Sequence, residues 1–175
     1  MTTGTVVITG AAGGMGRPAA QRFAAQGRPL LLCDLDPVRL EALAEELRPA
    51  AGKVDILAAD IAAGDFPARI VAALGGAPIS ALVHTAGLSP TMSDGPRIFA
   101  VNYDATERLV AGLLPHFEVG GCAVLISSVS AYMLGDPALL DAIRAFVTTG
   151  ERSGIAGYMD HPGMAYAISK RAVIG

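Results

Sequence analysis

The chain is poor in the features that would mark it for nucleic acid, metal or membrane. Only 17% of its 175 residues are charged, the net charge is −3, and lysine and arginine form no block. That argues against a nucleic-acid surface. No apolar run reaches the length of a membrane span, so no membrane partner is expected. Met1-Thr2-Thr3-Gly4 carries no basic n-region and runs straight into a strand-like segment. No signal peptide is therefore expected, and a cytoplasmic location is. There are two cysteines, Cys33 and Cys122, both in apolar runs, and three scattered histidines. Neither set has metal-ligand spacing, and the cysteines read as buried, reduced thiols. Internal repeats and low-complexity linkers are absent as well. A hydrophobic content of 52% excludes a disordered chain. The length is sufficient for one domain with a real core.

The pattern that is present is alternation. Thr5 to Ile8, Leu30 to Cys33, Val54 to Leu57, Ile79 to His84 and Cys122 to Ile126 are short, continuously apolar runs. Such runs read as strands covered on both faces. Helical stretches separate them, at 14–26, 37–48, near 64–74 and 95–117, with Pro37 suited to a first helical turn. This rhythm predicts an α/β fold: a Rossmann-like, doubly wound parallel sheet of right-handed βαβ units with helices on both faces. Residues 1–175 are expected to form a single dinucleotide-binding and catalytic domain. Residues 135–163 break the rhythm and read as an insertion with one short helix, before a last helix from Gly163 to Ile174.

Gly10, Gly14 and Gly16 lie between the first strand and the first helix, in the order G-x-x-x-G-x-G. Glycines allow a tight turn and let the backbone approach a pyrophosphate at a helix N-terminus. A glycine cluster here also suits a plain strand-to-helix turn. Asp34, at the end of the second strand, separates the two readings. Its carboxylate can accept hydrogen bonds from the adenosine ribose and would repel a 2′-phosphate. No lysine or arginine occurs among residues 9–16, so NAD is the expected cofactor rather than NADP. Asp36 reads as the N-cap before Pro37.

Near the other end, Tyr166 and Lys170 are four residues apart, which places them on one helix face. A free phenol titrates at pH ~10, and a neighbouring ammonium favours its phenolate. Tyr166 is therefore expected to take an alcohol proton as hydride leaves, and to return it in the reverse direction.

Taken together these residues resemble the short-chain dehydrogenase/reductase family along essentially the whole chain. Thr9 and the glycines, with Met15 among them, resemble its cofactor signature. Asp60-Ile61 resembles the Asp-aliphatic pair that meets the adenine. His84-Thr85-Ala86-Gly87 resembles its Asn-Asn-Ala-Gly motif, with the first two positions different. Val101-Asn102 resembles the segment bearing the tetrad asparagine, and Ile126-Ser127-Ser128 the segment bearing the catalytic serine. Tyr166 and Lys170 match Tyr-x-x-x-Lys.

The resemblance implies that Ser128 orients the substrate oxygen and stabilises charge on it. It implies that Lys170 also binds the nicotinamide ribose and that Asn102 holds a water linking Lys170 to solvent. Gly10, Gly14, Met15, Gly16, Asp34, Asp60, Ile61, Ala86, Gly87, Tyr166 and Lys170 would touch cofactor. Ser127 and His161 read as structural. Tyr132, Met133 and Tyr158 could either line the substrate site or pack the insertion.

Tyr166 follows Ser128 by 38 positions, a longer step than in typical members. The extra segment resembles that of bacterial 3α-hydroxysteroid dehydrogenase/carbonyl reductases. Leu125-Ile126-Ser127-Ser128-Val129 is similar to their serine segment, and in that subgroup the insertion alters the subunit interface. The resemblance thus implies a homo-oligomer, a dimer or tetramer, acting on a small alcohol or ketone, with a steroid-like or other cyclic hydrophobic molecule as substrate. Family members continue past the tyrosine helix with further strands, a Pro-Gly turn and a substrate lid. The chain is accordingly expected to be a fragment of a longer enzyme, or else a shortened protein. A second reading is a nucleotide-binding scaffold of the same fold without turnover. A third, a sugar-nucleotide epimerase of the extended family, also needs a sizeable C-terminal substrate domain.

Overall fold

A computed structural model describes residues 4–175. Met1, Thr2 and Thr3, part of the segment from which no signal peptide is expected, lie outside the described residues. Two compact units are built from interleaved segments, one from residues 4–86 and 107–125, the other from residues 87–106 and 126–175.

The first unit is a five-stranded parallel sheet in the order β3-β2-β1-β4-β5. Its strands are β1 (Thr5–Thr9), β2 (Pro29–Asp34), β3 (Lys53–Ala58), β4 (Ile79–His84) and β5 (Phe117–Leu125). The helices α1 (Gly16–Ala24), α2 (Pro37–Leu47) and α3 (Phe66–Leu74) connect the early strands. Alternate side chains of a strand point to opposite faces. Val6, Ile8, Leu30 and Leu32 share one core cluster with Ala20, Ala24, Leu40, Leu43 and Leu47 of α1 and α2. Val7, Leu31 and Cys33, of the other parity, are equally buried. Both faces of the sheet's centre are therefore covered, as the apolar runs predict. The edge strands β3 and β5 are only partly buried.

Local chemistry explains the boundaries. Asp36 caps α2, its Oδ1 accepting from the N–H of Val38 at 3.0 Å and of Arg39 at 3.1 Å, as expected. The run expected as one helix over 95–117 is interrupted. α4 (Gly95–Phe99) passes into a π-helical turn, Ala100–Asp104, then α5 (Ala105–Leu113), and a 3-10 turn at Leu114–His116 ends it. Pro115 in that last turn has no N–H to continue an α-helix. β5 accordingly begins at Phe117, not Cys122. Its pairing with β4 is irregular: Ile79 faces Phe117 and Ala81 faces Cys122, with the Gly120-Gly121 pair lying in the intervening loop-out. This edge position also corrects the reading of Cys122, which is exposed, whereas Cys33 is buried.

The second unit is helical. It holds α4 and the π turn, a 3-10 turn (Val129–Tyr132), α6 (Pro137–Thr149), α7 (Ser153–Ala156) and α8 (Pro162–Ala172). The insertion over 135–163 thus contains a 13-residue helix and a short second one, where a single short helix is expected from sequence. Asp136 caps α6, and Gly150 ends it with φ +80°. Leu139, Ile143 and Phe146 of α6 and Ile155 of α7 bury themselves with Phe99 of α4 and with Ile168 and Ala172 of α8. Among the described residues no helix is long and apolar enough to cross a membrane.

Candidate functional site

At the C-terminal ends of the first unit's strands stand the glycine turn, Asp34, Asp60 and Ala86, all expected to meet a dinucleotide. In open α/β sheets this edge, where the strand order reverses between β1 and β4, is where ligands bind. Thr9 ends β1, and the glycine turn follows it directly. Gly10 has φ +67°, and a Cβ there would lie 2.7 Å from the amide nitrogen of Ala86. A Cβ on Gly16 would lie 2.1 Å from the Gly10 carbonyl oxygen, so neither position tolerates a side chain. Gly14, by contrast, faces open space. α1 starts at Gly16 behind Met15, an exposed residue, with no side-chain cap. Arg17 N–H donates to the Gly13 carbonyl oxygen at 3.1 Å and Pro18 has no N–H, so an anion would meet this turn at the amide groups before Arg17. Glycines closed toward the protein and open toward solvent suit a pyrophosphate.

Asp34 ends β2 and is already engaged. Its Oδ2 accepts from the Ala12 N–H at 2.9 Å and its Oδ1 from the Leu35 N–H at 2.8 Å. Oδ1 also accepts from the Asp36 N–H at 3.4 Å; a carboxylate has about four acceptor positions, so one remains for a ribose hydroxyl. Asp34 therefore also fixes the glycine turn, which sequence alone does not reveal. Nor does sequence reveal Arg39. From α2 its Nη2 donates to the Ala12 carbonyl oxygen at 2.6 Å, so the turn has a basic residue beside it although none lies within it. A helix partner 27 positions away leaves no local signal.

Asp60 holds its own turn, Oδ1 accepting from the Ala62 N–H at 2.9 Å, and Ile61 is buried beside it. His84 and Thr85, which replace two asparagines of the familiar motif, brace β1 with different groups. His84 Nδ1 lies 2.6 Å from Thr9 Oγ1, and Thr85 Oγ1 donates to the Thr9 carbonyl oxygen at 2.8 Å. Ala86 follows, packed on Gly10.

The residues expected to carry the chemistry all fall in the second unit. His161 caps α8, its ring Nδ1 accepting from the Met164 N–H at 3.3 Å. One turn on, α8 carries Tyr166, half-buried, then Lys170, which is 7% exposed. Lys170 Nζ donates to the Ile126 carbonyl oxygen at 2.8 Å and lies 5.9 Å from the centre of the Tyr166 ring. Burial holds the Lys170 ammonium below its usual pKa of 10.5. Ser127 Oγ donates to the Lys170 backbone oxygen at 2.6 Å. Ser128 caps the 129–132 turn. Its Oγ accepts from the Ser130 N–H at 3.2 Å and donates to Ser130 Oγ at 3.1 Å. Ser130 is a neighbour the motif reading overlooks. Among the described residues the Tyr166 hydroxyl has no hydrogen-bond partner, so it is available to a ligand.

Asn102 lies within the π turn and is 1% exposed. Its Oδ1 accepts from the Leu88 N–H at 2.8 Å and its Nδ2 donates to the Leu88 carbonyl oxygen at 2.9 Å. Its amide therefore fixes the segment after Gly87. A Cβ on Gly87 would lie 3.1 Å from Asn102 Oδ1 and 3.6 Å from Lys170 Nζ, so glycine keeps this approach open. Tyr132 and Met133 are exposed, with the Arg171 guanidinium 5.8 Å from the Tyr132 ring centre, while Tyr158 packs into the insertion's core. Among the described residues no group of three or more histidines, cysteines, aspartates or glutamates could hold a metal ion.

Known proteins share this organisation. The family model described as short chain dehydrogenase matches residues 4–137. Sulfoacetaldehyde reductase of Chromohalobacter salexigens is 45% identical over 136 residues, which are 71% of this chain and 53% of the reductase. A bulky-bulky ketone specific alcohol dehydrogenase from Comamonas testosteroni superposes with TM-score 0.72 at 25% identity, over 99% of this chain and 64% of that one. A 3-oxoacyl-[acyl-carrier protein] reductase from Brucella melitensis, solved with bound NAD, gives 0.71 at 25% identity, over 98% of this chain and 62% of that one. The chain thus spans between about half and two thirds of the length of these relatives.

Proposed function

The chain belongs to the short chain dehydrogenase family, and on that premise we propose that it is the dinucleotide-binding and catalytic part of an NAD-dependent oxidoreductase. Its substrate is a secondary alcohol or the corresponding ketone, of cyclic or otherwise bulky hydrophobic type, and it works as a homo-oligomer. The observation that carries the proposal is the double attachment of Lys170. Its side chain holds the Ile126 carbonyl and its backbone oxygen accepts from Ser127. Those two hydrogen bonds fix the helix of Tyr166 to the Ile126-Ser127 segment that leads into Ser128.

The cofactor reading rests on the glycine turn, open at Gly14, on the uncapped start of α1, and on Asp34. The NAD held by the Brucella reductase is consistent with it. The substrate class follows the bulky ketones of the Comamonas dehydrogenase. The exposed Tyr132 and Met133 beside the serine turn suit such a molecule.

A bound nicotinamide supplies the hydride acceptor for alcohol oxidation and the hydride donor for ketone reduction. The protein's own groups then manage the proton. Ser128 Oγ turns from Ser130 to donate to the substrate oxygen and stabilises negative charge developing there. Tyr166 Oη, free of other partners, takes the hydroxyl proton of an alcohol or gives one to a ketone. The ammonium of Lys170, on the same helix face, favours the anionic form that Tyr166 reaches during oxidation. Asn102 and Gly87 keep the approach to Lys170 clear.

Tyr166→Phe removes the proton-transfer group and nothing else the fold uses. Alcohol oxidation should fall at least about a hundredfold, the usual contribution of a positioned acid–base group, while NADH still quenches on binding. Turnover near wild type would take Tyr166 out of this role. The rival reading, a nucleotide-binding scaffold, predicts NAD binding with no oxidation across a panel of secondary alcohols.

A further inference from the structure

The insertion between Ser128 and Tyr166 delivers an arginine to the far end of the π turn. After α6 closes at Gly150, Arg152 reaches Asp104, its Nη2 lying 2.6 Å from Oδ1 and its Nη1 3.2 Å from Oδ2. The guanidinium also lies 5.4 Å from the ring centre of Phe99 and 5.2 Å from that of Phe146. Phe99, Tyr103 and Phe146 pack on one another with ring centres 5.0–5.6 Å apart. A planar fork that pairs with a carboxylate and stacks on rings is a task for arginine, and lysine performs it poorly.

What the arginine grips is informative. A π turn carries one residue more than an α-helix accommodates, and it persists where surrounding contacts hold it. Asp104 is the last residue of that turn and Asn102 lies two positions earlier. Asn102 in turn holds both backbone groups of Leu88, next to the Gly87 that keeps the way to Lys170 clear. Arg152 is itself 54% exposed. Its partner Asp104 is 22% exposed; a pair still partly open to water contributes modestly to global stability, and its effect is chiefly local.

We propose that Arg152 is a positioning residue. The insertion uses it to hold the π turn through Asp104, and thereby fixes Asn102 against Leu88. This rests on the reading of Asn102, Tyr166 and Lys170 as one catalytic set. The role assigned to the insertion is internal to the chain and needs no neighbouring subunit.

The test is native-state amide exchange of the cofactor-free full chain, compared among wild type, Arg152→Ala, Asp104→Ala and the double variant. The expected result is exchange of the Leu88 amide accelerated roughly tenfold by either single change, through a local opening. The amides of α6 and α8 should keep their protection, and the double variant should be no worse than either single. Arg152→Lys should fall between wild type and Arg152→Ala. In alcohol oxidation, kcat should fall with KM for the alcohol unchanged.

An unchanged Leu88 amide in Arg152→Ala overturns the proposal. So do additive single effects, or an acceleration of α6 and α8 equal to that of Leu88, which would mark Arg152 as a general core support. If Arg152→Ala does not fold, Arg152→Lys and Asp104→Asn carry the same comparison. A wild-type chain that oxidises no secondary alcohol overturns the reading of the reaction, and the Leu88 exchange still decides the positioning role.

Discussion

Lys170 Nζ donates to the carbonyl oxygen of Ile126 at 2.8 Å, so the ammonium is held against the segment that precedes Ser128. The bond satisfies one of three ammonium protons, and the rest of the side chain is buried. Burial outweighs that single bond and sets the folded pKa below 10.5.

The consequence for stability has a definite sign. Between the folded pKa of Lys170 and 10.5 the unfolded chain binds more protons than the folded one. Stability therefore rises with pH across that window. Below the window both states are protonated and the full cost of burying the charge is felt. Lys170→Met removes the cost together with the pH dependence. Urea unfolding of wild type and Lys170→Met between neutral pH and pH ~10.5 should show wild type gaining on the variant as pH rises. Parallel curves would mean that the lysine titrates alike in both states.

Gly95 offers a steric test of the second unit. A Cβ at this first residue of α4 would lie 1.8 Å from the Met159 carbonyl oxygen and 3.1 Å from Ala165 Cβ. Neither neighbour is the end of a flexible chain, so backbone must move, and Ala165 adjoins Tyr166. Gly95→Ala should cost about 1–3 kcal/mol, the range for overpacking, and lower kcat as α8 shifts. A change in the urea midpoint too small to resolve would show that α4 and the segment before α8 are not in that contact.

How far the sequence alone reaches can be judged residue by residue. The sheet was legible because its central strands are covered on both faces and so read as unbroken apolar runs. The tyrosine helix was legible because Tyr166 and Lys170 share a face. Elements whose limits depend on distant partners were less so. β5 extends back to Phe117 by pairing irregularly with β4 across the Gly120-Gly121 pair, and nothing local announces it. The full length of α6 was not legible because its apolar positions serve a core shared with Phe99 and Ile168. The π turn has no sequence signature, since it is maintained from outside by Arg152 and Leu88. The second tasks of known site residues are likewise tertiary: Asp34 holding Ala12, and Thr85 replacing an asparagine at β1.

The two thiols report on the edge position of β5. Cys33 is buried, and burial, with the neighbouring Asp34 charge, pushes its thiol pKa far up, so little thiolate is available. Cys122 is exposed. A thiol reagent at pH ~8 should label Cys122 rapidly and Cys33 only on unfolding. Mass spectrometry finding slow labelling at both would show that β5 is covered in the intact protein.

Asp34 and Arg39 make opposing demands on the cofactor, and their geometry predicts which prevails. Asp34 stands at the end of β2 with Oδ2 on the Ala12 N–H, while Arg39 is committed to the Ala12 carbonyl oxygen. A carboxylate meeting a 2′-phosphate at ~4 Å is repelled by about 1 kcal/mol in water and about 4 kcal/mol at an effective dielectric near 20. Arg39 can offset this only by leaving the glycine turn it braces. NADH should therefore bind at least about fivefold more tightly than NADPH, the factor that ~1 kcal/mol gives. Asp34→Asn keeps an acceptor for Ala12 but removes the charge, so it should narrow the gap, chiefly by improving NADPH. Arg39→Met should weaken both cofactors alike, since its loss loosens the turn without altering the ribose site. Fluorescence titration separates the cases. Equal affinity for the two cofactors in wild type, lost on Arg39→Met through NADPH alone, would assign Arg39 to the 2′-phosphate and overturn the preference for NAD.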